Sequence, residues 1–152
     1  MIGENRNLFD LTYVDNVSHA HILAAEKMKK GSGIEGQAFF ITNDQPIFFW
    51  DYPKILLHHL GYRGTQSISL PTPFAYFLGD LMDTIAWALS PFYVFHPTIT
   101  RFRVKIITGN RYFDISKAKR VMGYEPIVPL MEGFKRTAEY WKSQGYGYSL
   151  AA

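Results

Sequence analysis

Six residues early in the chain have the spacing of a nucleotide-binding loop. Residues 31–36 read GSGIEG and satisfy G-x-G-x-x-G, in which glycines let the backbone approach a dinucleotide pyrophosphate. That fingerprint needs a strand before the glycines and a helix opening out of them, so that the pyrophosphate meets the helix N-terminus. Here a helical pattern comes first and a strand pattern follows. We therefore predict a turn that ends a helix, and no cofactor loop.

Charged side chains in the middle of the chain could transfer protons or bind an anion. Asp80 and Asp83 are three residues apart on one predicted helical face, a spacing that could pair two carboxylates for acid–base work. A solvated helix face is the alternative that we favour for this pair. Arginine binds carboxylates with two parallel hydrogen bonds, and a basic group follows: Arg101, Arg103, Lys105 and Arg111. For this group, too, a solvent-facing strip is the alternative.

Metal and thiol chemistry have little support in the sequence. The chain has five histidines and no cysteine, which excludes disulfides and thiolate metal sites. His19 and His21 point to different faces of a predicted helix, and no third ligand stands at metal spacing. His58 and His59 lie near the end of their own helix, where they complement its dipole. We predict no metal site.

The composition is that of one packed domain. Of 152 residues, 47% are hydrophobic and only 19% are charged, a balance that argues against disorder. The net charge is +3, but the basic residues stand in small groups, so we expect no nucleic-acid partner. The first ten residues contain no apolar stretch of a signal peptide, and we expect none.

Strand and helix patterns alternate along the chain, which predicts an α/β architecture. Strands are predicted at residues 8–14 and 37–42, with a short one at 112–115 and an extended segment at 67–70. Helices are predicted after an N-cap at Asp15 or Asn16, over 47–60, 74–95 and 130–145, and from an N-cap at Ser116 to a glycine stop at Gly123.

Residues 74–95 form the most apolar stretch of the chain. Their length nearly spans a bilayer, but Asp80 and Asp83 stand in the middle and Pro91 breaks the last turn. A charge at mid-membrane costs about 2.5–3.5 kcal/mol even on the lenient insertion scale. We therefore predict an amphipathic helix with Asp80, Asp83 and Thr84 on a polar strip.

Two runs of sequence are similar to a known family. The run LFDLTYVDNVSHAHILAAEKM (8–28) resembles the strand and helix that follow the catalytic core in extended short-chain dehydrogenases, especially the 3β-hydroxysteroid dehydrogenase family. The run RYFDISKAKRVMGYEPIVPLMEGFKRTAEYW (111–141) resembles that family's C-terminal signature. Its parts are a short aspartate-bearing strand, a Lys-Ala helix, Gly-Tyr-x-Pro and a terminal helix. The resemblance covers nearly the whole chain and is closest to the fungal branch that acts on 4α-carboxysterols.

The resemblance implies an α/β fold, namely the C-terminal substrate-binding half of an extended Rossmann-type short-chain dehydrogenase, lacking the N-terminal dinucleotide-binding part. Residues 1–146 would form this lobe and residues 147–152 a frayed tail. The family reacts through a Tyr-x-x-x-Lys pair, and none of the ten tyrosines here has lysine four residues later. We therefore assign no catalytic or cofactor-binding residue. By itself the chain is expected to bind neither NAD nor NADP and to be inactive.

For the full-length family, the resemblance implies NAD- or NADP-dependent oxidation of the 3β-hydroxyl of a 4α-carboxysterol, with decarboxylation, in ergosterol synthesis. The implied partners are a sterol substrate, a second copy of the chain or other sterol-synthesis enzymes, and the cytosolic face of the endoplasmic reticulum membrane as a peripheral contact. The helix at 74–95 would then line the sterol entrance and rest on this membrane, and a core or dimer helix is the rival explanation. The expected membrane contacts are Phe74, Phe77, Leu81 and Trp87. Two alternatives remain. One is a non-catalytic module that binds sterol or membrane, and the other is a dehydrogenase of another polycyclic or polyketide alcohol.

Substrate contacts are predicted where the first strand ends, because open α/β sheets bind ligands at the carboxyl ends of their strands. These residues are Asp10, Thr12, Tyr13 and Asn16. Arg111 is the candidate for the substrate carboxylate. Related sugar-nucleotide enzymes use an arginine just before the equivalent short strand, although their ligand is a phosphate.

Overall fold

The computed structural model describes residues 1–62 and 68–147. Residue 67 and residues 148–152 of the predicted tail lie outside this part. Helices dominate it, and the elements in chain order are β1 (Leu8–Phe9), α1 (Val14–Lys27), β2 (Ile47–Phe48), α2 (Asp51–His59), α3 (Thr72–Leu89), α4 (Arg101–Thr108), α5 (Ser116–Met122) and α6 (Leu130–Ser143).

The strands are shorter than predicted, and their pairing is antiparallel. β1 keeps only two of the seven residues predicted as a strand, and it pairs with β2 so that Leu8 lies opposite Phe48. The predicted strands at 37–42 and 112–115 are both wrong, because these segments have no ladder partner in the described structure. Single hydrogen bonds hold the first of them, such as the one from the Thr12 hydroxyl to the Ile41 carbonyl at 3.1 Å.

The predicted starts of α1 and α2 are wrong by two to four residues. α1 begins at Val14 and not after Asp15 or Asn16, because the Asn16 amide bonds to buried partners and does not cap the helix. α2 begins at Asp51. The residues before it are used elsewhere: β2 pairs with β1, and the Trp50 N–H donates to Asn5 Oδ1 at 2.8 Å.

Short-range polar contacts define the ends of α5. Ser116 is its first residue and not its cap, and the Asp114 carboxylate accepts hydrogen bonds of 2.8 Å from both the backbone N–H and the hydroxyl of Ser116. These bonds lower the pKa of Asp114. The glycine stop is confirmed, because Gly123 has the left-handed φ of 65° that glycine adopts without strain.

Two packed regions position the rest of the chain. In the first, Tyr124 is fully buried with Met122, Ile115 and Ala20, and its hydroxyl donates to the Thr42 carbonyl at 2.9 Å. In the second, α3 crosses α4 at Gly79, where an added Cβ would lie only 2.7 Å from the Arg101 backbone nitrogen. Glycine is therefore needed for this close crossing.

α3 ends at Leu89, earlier than the predicted residue 95, and Ser90 forms its C-cap. Within residues 1–62 and 68–147, no helix combines the length and apolar character needed to cross a bilayer.

Candidate functional site

The GSGIEG segment is a turn, as predicted. It follows α1, and Gly31 and Gly33 have φ values of 80° and 79°. The Glu35 carboxylate accepts hydrogen bonds from the N–H groups of Gly31 at 2.6 Å and Gly33 at 3.0 Å. Bonds from backbone N–H groups, its own included, lower the pKa of Glu35. The donors that would face a phosphate in a nucleotide loop are thus occupied by a carboxylate of the same segment.

Asp80 and Asp83 tie α3 to the start of α4. Asp80 forms an ion pair with Arg101 at 2.6 Å, and Asp83 Oδ2 accepts from the Arg101 backbone N–H at 3.0 Å. The hydrogen bond to Asp80 raises the pKa of Arg101. Arg103 donates to the Thr98 carbonyl at 2.8 Å. These contacts favour a structural role for the two aspartates and for both arginines.

The histidines show no shared site. His58 and His59 lie in the last turn of α2, as predicted. The ring of His21 lies 2.8 Å from the Val17 carbonyl of its own helix. Among the residues that the structure describes, no group of three histidine or carboxylate side chains could hold a metal ion.

Arg111 and Asp10 lie side by side at the edge of β1. The Asp10 N–H donates to the Arg111 carbonyl and the Arg111 N–H donates to the Leu8 carbonyl, both at 2.8 Å. The Arg111 guanidinium lies 5.5 Å from the centre of the Phe9 ring. Arg111 is exposed and forms no ion pair with any described residue. A ring-supported cation of this kind can bind a carboxylate from solution.

The Asp10 carboxyl is only partly satisfied. Its Oδ2 accepts from the Phe113 N–H at 2.8 Å, whereas Oδ1 is buried without a described partner. Burial raises the pKa of Asp10. The hydrogen bond from the Phe113 N–H lowers this pKa and the negative charge of nearby Asp44 raises it, so that the net change is upward. The carboxyl therefore keeps its proton to a higher pH than an exposed aspartate.

The other predicted contacts are divided between a cavity and the interior. Thr12 and Tyr13 line an apolar cavity between α2 and α6. Asn16 is fully buried, and its amide donates to Asn43 Oδ1 at 2.9 Å and to the Val128 carbonyl at 2.8 Å. In this arrangement Asn16 offers no surface to a substrate.

Sequence reasoning missed the aromatic walls of this cavity. Tyr52 of α2 and Phe134 of α6 stack with ring centres 5.9 Å apart. The sequence predicts a helix in each of these segments. It contains no signal that the two helices would pack against each other along these side chains.

All four predicted membrane contacts on α3 face solvent. Phe74 is 52% exposed, Phe77 63%, Leu81 42% and Trp87 78%. The apolar surface continues past the helix at residues 92–94, which are also exposed. Aromatic surface of this extent is unusual on a chain without a partner.

Comparison with known proteins identifies the sequence relationship. The model of the 3-beta hydroxysteroid dehydrogenase/isomerase family matches residues 1–72. The decarboxylating sterol-4-alpha-carboxylate 3-dehydrogenase of Schizosaccharomyces pombe is 40% identical over 144 residues, which cover 94% of this chain and 41% of that protein. These matches confirm the resemblance to the 3β-hydroxysteroid dehydrogenase family that the sequence indicates. The enzyme of the same name from Saccharomyces cerevisiae is 40% identical over 147 residues, 95% of this chain and 41% of that protein.

A plant relative extends the same relationship. The 3beta-hydroxysteroid-dehydrogenase/decarboxylase isoform 1 of Arabidopsis thaliana is 41% identical over 143 residues, 91% of this chain. The chain spans 32% of the length of the plant protein and 41% of each yeast protein.

Solved structures agree on the fold. The crystal structure of gox2253 matches with a TM-score of 0.67 at 19% identity, over 93% of this chain and 39% of that one. The UDP-glucose 4-epimerase of Thermotoga maritima matches with a TM-score of 0.59 at 23% identity, over 96% of this chain and 35% of the epimerase. The predicted class, an α/β part of an extended Rossmann-type short-chain dehydrogenase, is confirmed.

Proposed function

We propose that this chain is the substrate-side part of an NAD- or NADP-dependent 3β-hydroxysteroid dehydrogenase that acts on a 4α-carboxysterol. The observation that carries the proposal is the exposed Arg111 guanidinium, which lies 5.5 Å from the centre of the Phe9 ring and forms no ion pair with any described residue. The 40% identity to yeast relatives named for a sterol 4-carboxylate supports the choice of anion.

The proposed reaction has two stages. In the first stage, carbon 3 of the sterol would lose a hydride to the nicotinamide and its 3β-hydroxyl would lose a proton to a base, which would leave a ketone next to the carbon that bears the carboxylate. The bond from this carbon to the carboxylate then breaks, carbon dioxide leaves, and the ketone accepts the electron pair as an enolate that takes up a proton. Arg111 would hold the carboxylate and so orient the sterol, and no residue of this chain is assigned to proton transfer.

NAD or NADP does not fit the glycine-rich segment of this chain. Glu35 occupies the N–H groups of Gly31 and Gly33, and a bound phosphate would meet its negative charge. We therefore assign no step of hydride transfer to the residues described. In our proposal the chain needs a nucleotide-binding partner segment for turnover.

A binding experiment tests the role of Arg111. The chain would be titrated with a 4α-carboxysterol and with its methyl ester, both delivered in cyclodextrin. We expect the free acid to bind about tenfold more tightly, and Arg111→Gln to abolish the difference. Arg103→Gln is the matched control, because Arg103 is bonded to the Thr98 carbonyl. Equal affinity of the unaltered chain for acid and ester would refute the proposal.

The apolar face of α3 supports a membrane location for the same function. We propose that Phe74, Phe77 and Leu81, which are three and four residues apart on α3, rest on the cytosolic face of the endoplasmic reticulum membrane, from which a sterol would enter. Trp87 lies on the neighbouring side of the helix, where it lines a shallow hollow with Asp80, Asp83 and Arg101. The acidic residues of α3 do not oppose this contact, because Asp80 is neutralised by Arg101 and Asp83 bonds to the start of α4. The same face favours the second candidate, a non-catalytic sterol- or membrane-binding module, which predicts sterol binding without any turnover.

A further inference from the structure

A cavity lies where α2 faces α6, and no step of the proposed oxidation is assigned to the residues that line it. This α2–α6 cavity has a volume of about 190 Å³ and opens to solvent on one side. Tyr52 and Leu56 of α2 form one wall, and Leu130 and Phe134 of α6 form another. Leu130 and Phe134 are 4% and 6% exposed, so this wall belongs to the packed interior.

Both threonine hydroxyls that line the cavity are bonded to backbone carbonyls of the protein. No charged side chain lines it. The hydroxyl of Thr12 donates to the Ile41 carbonyl at 3.1 Å, and that of Thr137 donates to the Gly133 carbonyl at 2.7 Å. Neither threonine has a proton left for a ligand, and a polar ligand group buried here would lose its hydrogen bonds to water. The walls therefore favour an apolar group.

Tyr13 fixes the shape of the cavity. Its ring lies directly on Gly133, where an added Cβ would be 3.0 Å from Tyr13 Cδ2. The glycine lets the ring pack flat against α6, and the ring does not fill the space between the helices.

The volume limits the size of the ligand group. Apolar cavities of about 150 Å³ bind benzene, whereas pockets for complete drug-sized ligands measure about 300–1,000 Å³. A cavity of about 190 Å³ thus holds a group of about six to eight carbon atoms. It is too small to enclose the complete four-ring nucleus of a sterol.

We propose that the α2–α6 cavity binds the alkyl end of a lipid. Two sources supply this chemistry, namely the side chain of a sterol and the acyl chain of a membrane lipid. The sterol source rests on the proposed function, whereas the affinity of the cavity for alkyl groups does not.

Methyl NMR of the complete chain, with labelled leucines, tests the proposal. We expect octanoate and benzene to shift the methyl signals of Leu11, Leu56 and Leu130 in a saturable way. Butyrate carries the same carboxylate without the alkyl length and is expected to leave them unchanged. Leu56→Trp should fill the cavity and weaken octanoate binding at least about tenfold. Met131→Trp is the control, because Met131 is 51% exposed on the same helix pair and does not line the cavity.

The result on the unaltered chain decides the matter even if Leu56→Trp does not fold. The proposal is overturned if neither octanoate nor benzene shifts these methyls, or if butyrate shifts them equally. Two sterols, one with a side chain of about eight carbons and one without it, identify the source. If the sterol with the side chain shifts the methyl signals and the sterol without it does not, the ligand group is the sterol side chain. If octanoate shifts the signals and neither sterol does, the ligand group is the acyl chain of a membrane lipid. Alkyl binding together with a failure of the Arg111 test would leave this proposal standing and remove the proposed function.

Discussion

The side chains of Asn16 and Asn43 meet inside the protein, with Asn16 Nδ2 donating to Asn43 Oδ1 at 2.9 Å. Both amides also donate to the Val128 carbonyl, at 2.8 and 2.9 Å, and the Val128 N–H donates back to Asn16 Oδ1 at 2.9 Å. This buried group joins the start of α1, the loop after residue 42 and the segment before α6. It therefore positions Tyr13 and α6, which line the α2–α6 cavity.

Asn16→Ala should destabilise the fold. The substitution leaves the Val128 N–H without a partner and removes one bond from Asn43, which we expect to cost about 2–4 kcal/mol in the free energy of unfolding. Urea unfolding followed by circular dichroism measures it. Ser18→Ala is the control, because the exposed Ser18 hydroxyl bonds only to the Val14 carbonyl of its own helix. Similar losses for both variants would show that the buried amide group adds nothing.

Glu35→Gln should weaken the turn at neutral pH but not in acid. Hydrogen bonds lower the pKa of Glu35 in the folded chain, so its stabilising effect is present above the unfolded pKa and is lost as the pH falls through the folded value. The melting temperatures of the two proteins should differ at pH 7 and converge in acid. Glu26→Gln, on the exposed end of α1, is the control and should leave the melting temperature at pH 7 unchanged. A constant difference for Glu35→Gln would contradict the assigned carboxylate bonds.

Tyr124→Phe should change the response to alkaline pH. Burial raises the pKa of Tyr124 to about 12, from an ordinary value near 10. The neutral phenol is thus favoured in the folded state, and stability is complete below about pH 10 and decreases as the pH rises towards 12. Because the phenylalanine variant lacks the bond to the Thr42 carbonyl, its free energy of unfolding should be lower by about 1 kcal/mol at every pH below about 10. Its stability should not decrease further as the pH rises towards 12. Parallel pH profiles for both proteins would be inconsistent with a buried phenol.

Charges on the exposed face of α3 should release the chain from membranes. Burial of a phenylalanine or leucine side chain contributes about 1.5–3 kcal/mol, so Phe77→Asp with Leu81→Asp should lower partitioning onto phosphatidylserine-containing vesicles more than tenfold. Co-sedimentation measures it.

The control pair for this experiment is Met131→Asp with Tyr140→Asp, at exposed apolar positions of α6. If the two double variants sediment with the vesicles to the same extent, α3 is not the membrane contact. A concentration-dependent dimer broken only by the α3 pair would identify a second copy of the chain as the occupant of this face.

The helices could be predicted from the sequence far better than the strands. α6 begins at the predicted Leu130, and Gly123 ends α5 as predicted, because periodicity and glycine caps are local signals. Residues 37–42 have the composition of a buried strand, yet no ladder forms in the described structure. What holds them is a set of bonds to distant residues, such as the Tyr124 hydroxyl on the Thr42 carbonyl.

The candidate site could be predicted only in part, because sequence patterns are local signals and do not identify distant partners. Strand position predicts Asp10 and the resemblance indicates Arg111, and the structure places their backbones side by side, with the Asp10 N–H donating to the Arg111 carbonyl. Asn16 was predicted beside them because it follows the strand. Only the fold shows that its amide points inwards to Val128, a partner that no local pattern identifies.

A chimera provides the most direct measurement of the central claim. The 144 aligned residues of the Schizosaccharomyces pombe relative would be replaced by the matching residues of this chain, and the formation of reduced nicotinamide and of carbon dioxide from a 4α-carboxysterol would be measured. We predict that reduced nicotinamide and carbon dioxide form in equal amounts. Arg111→Gln should lower kcat/KM by about tenfold or more. A folded chimera that binds the nicotinamide cofactor but does not oxidise the 4α-carboxysterol would contradict the account.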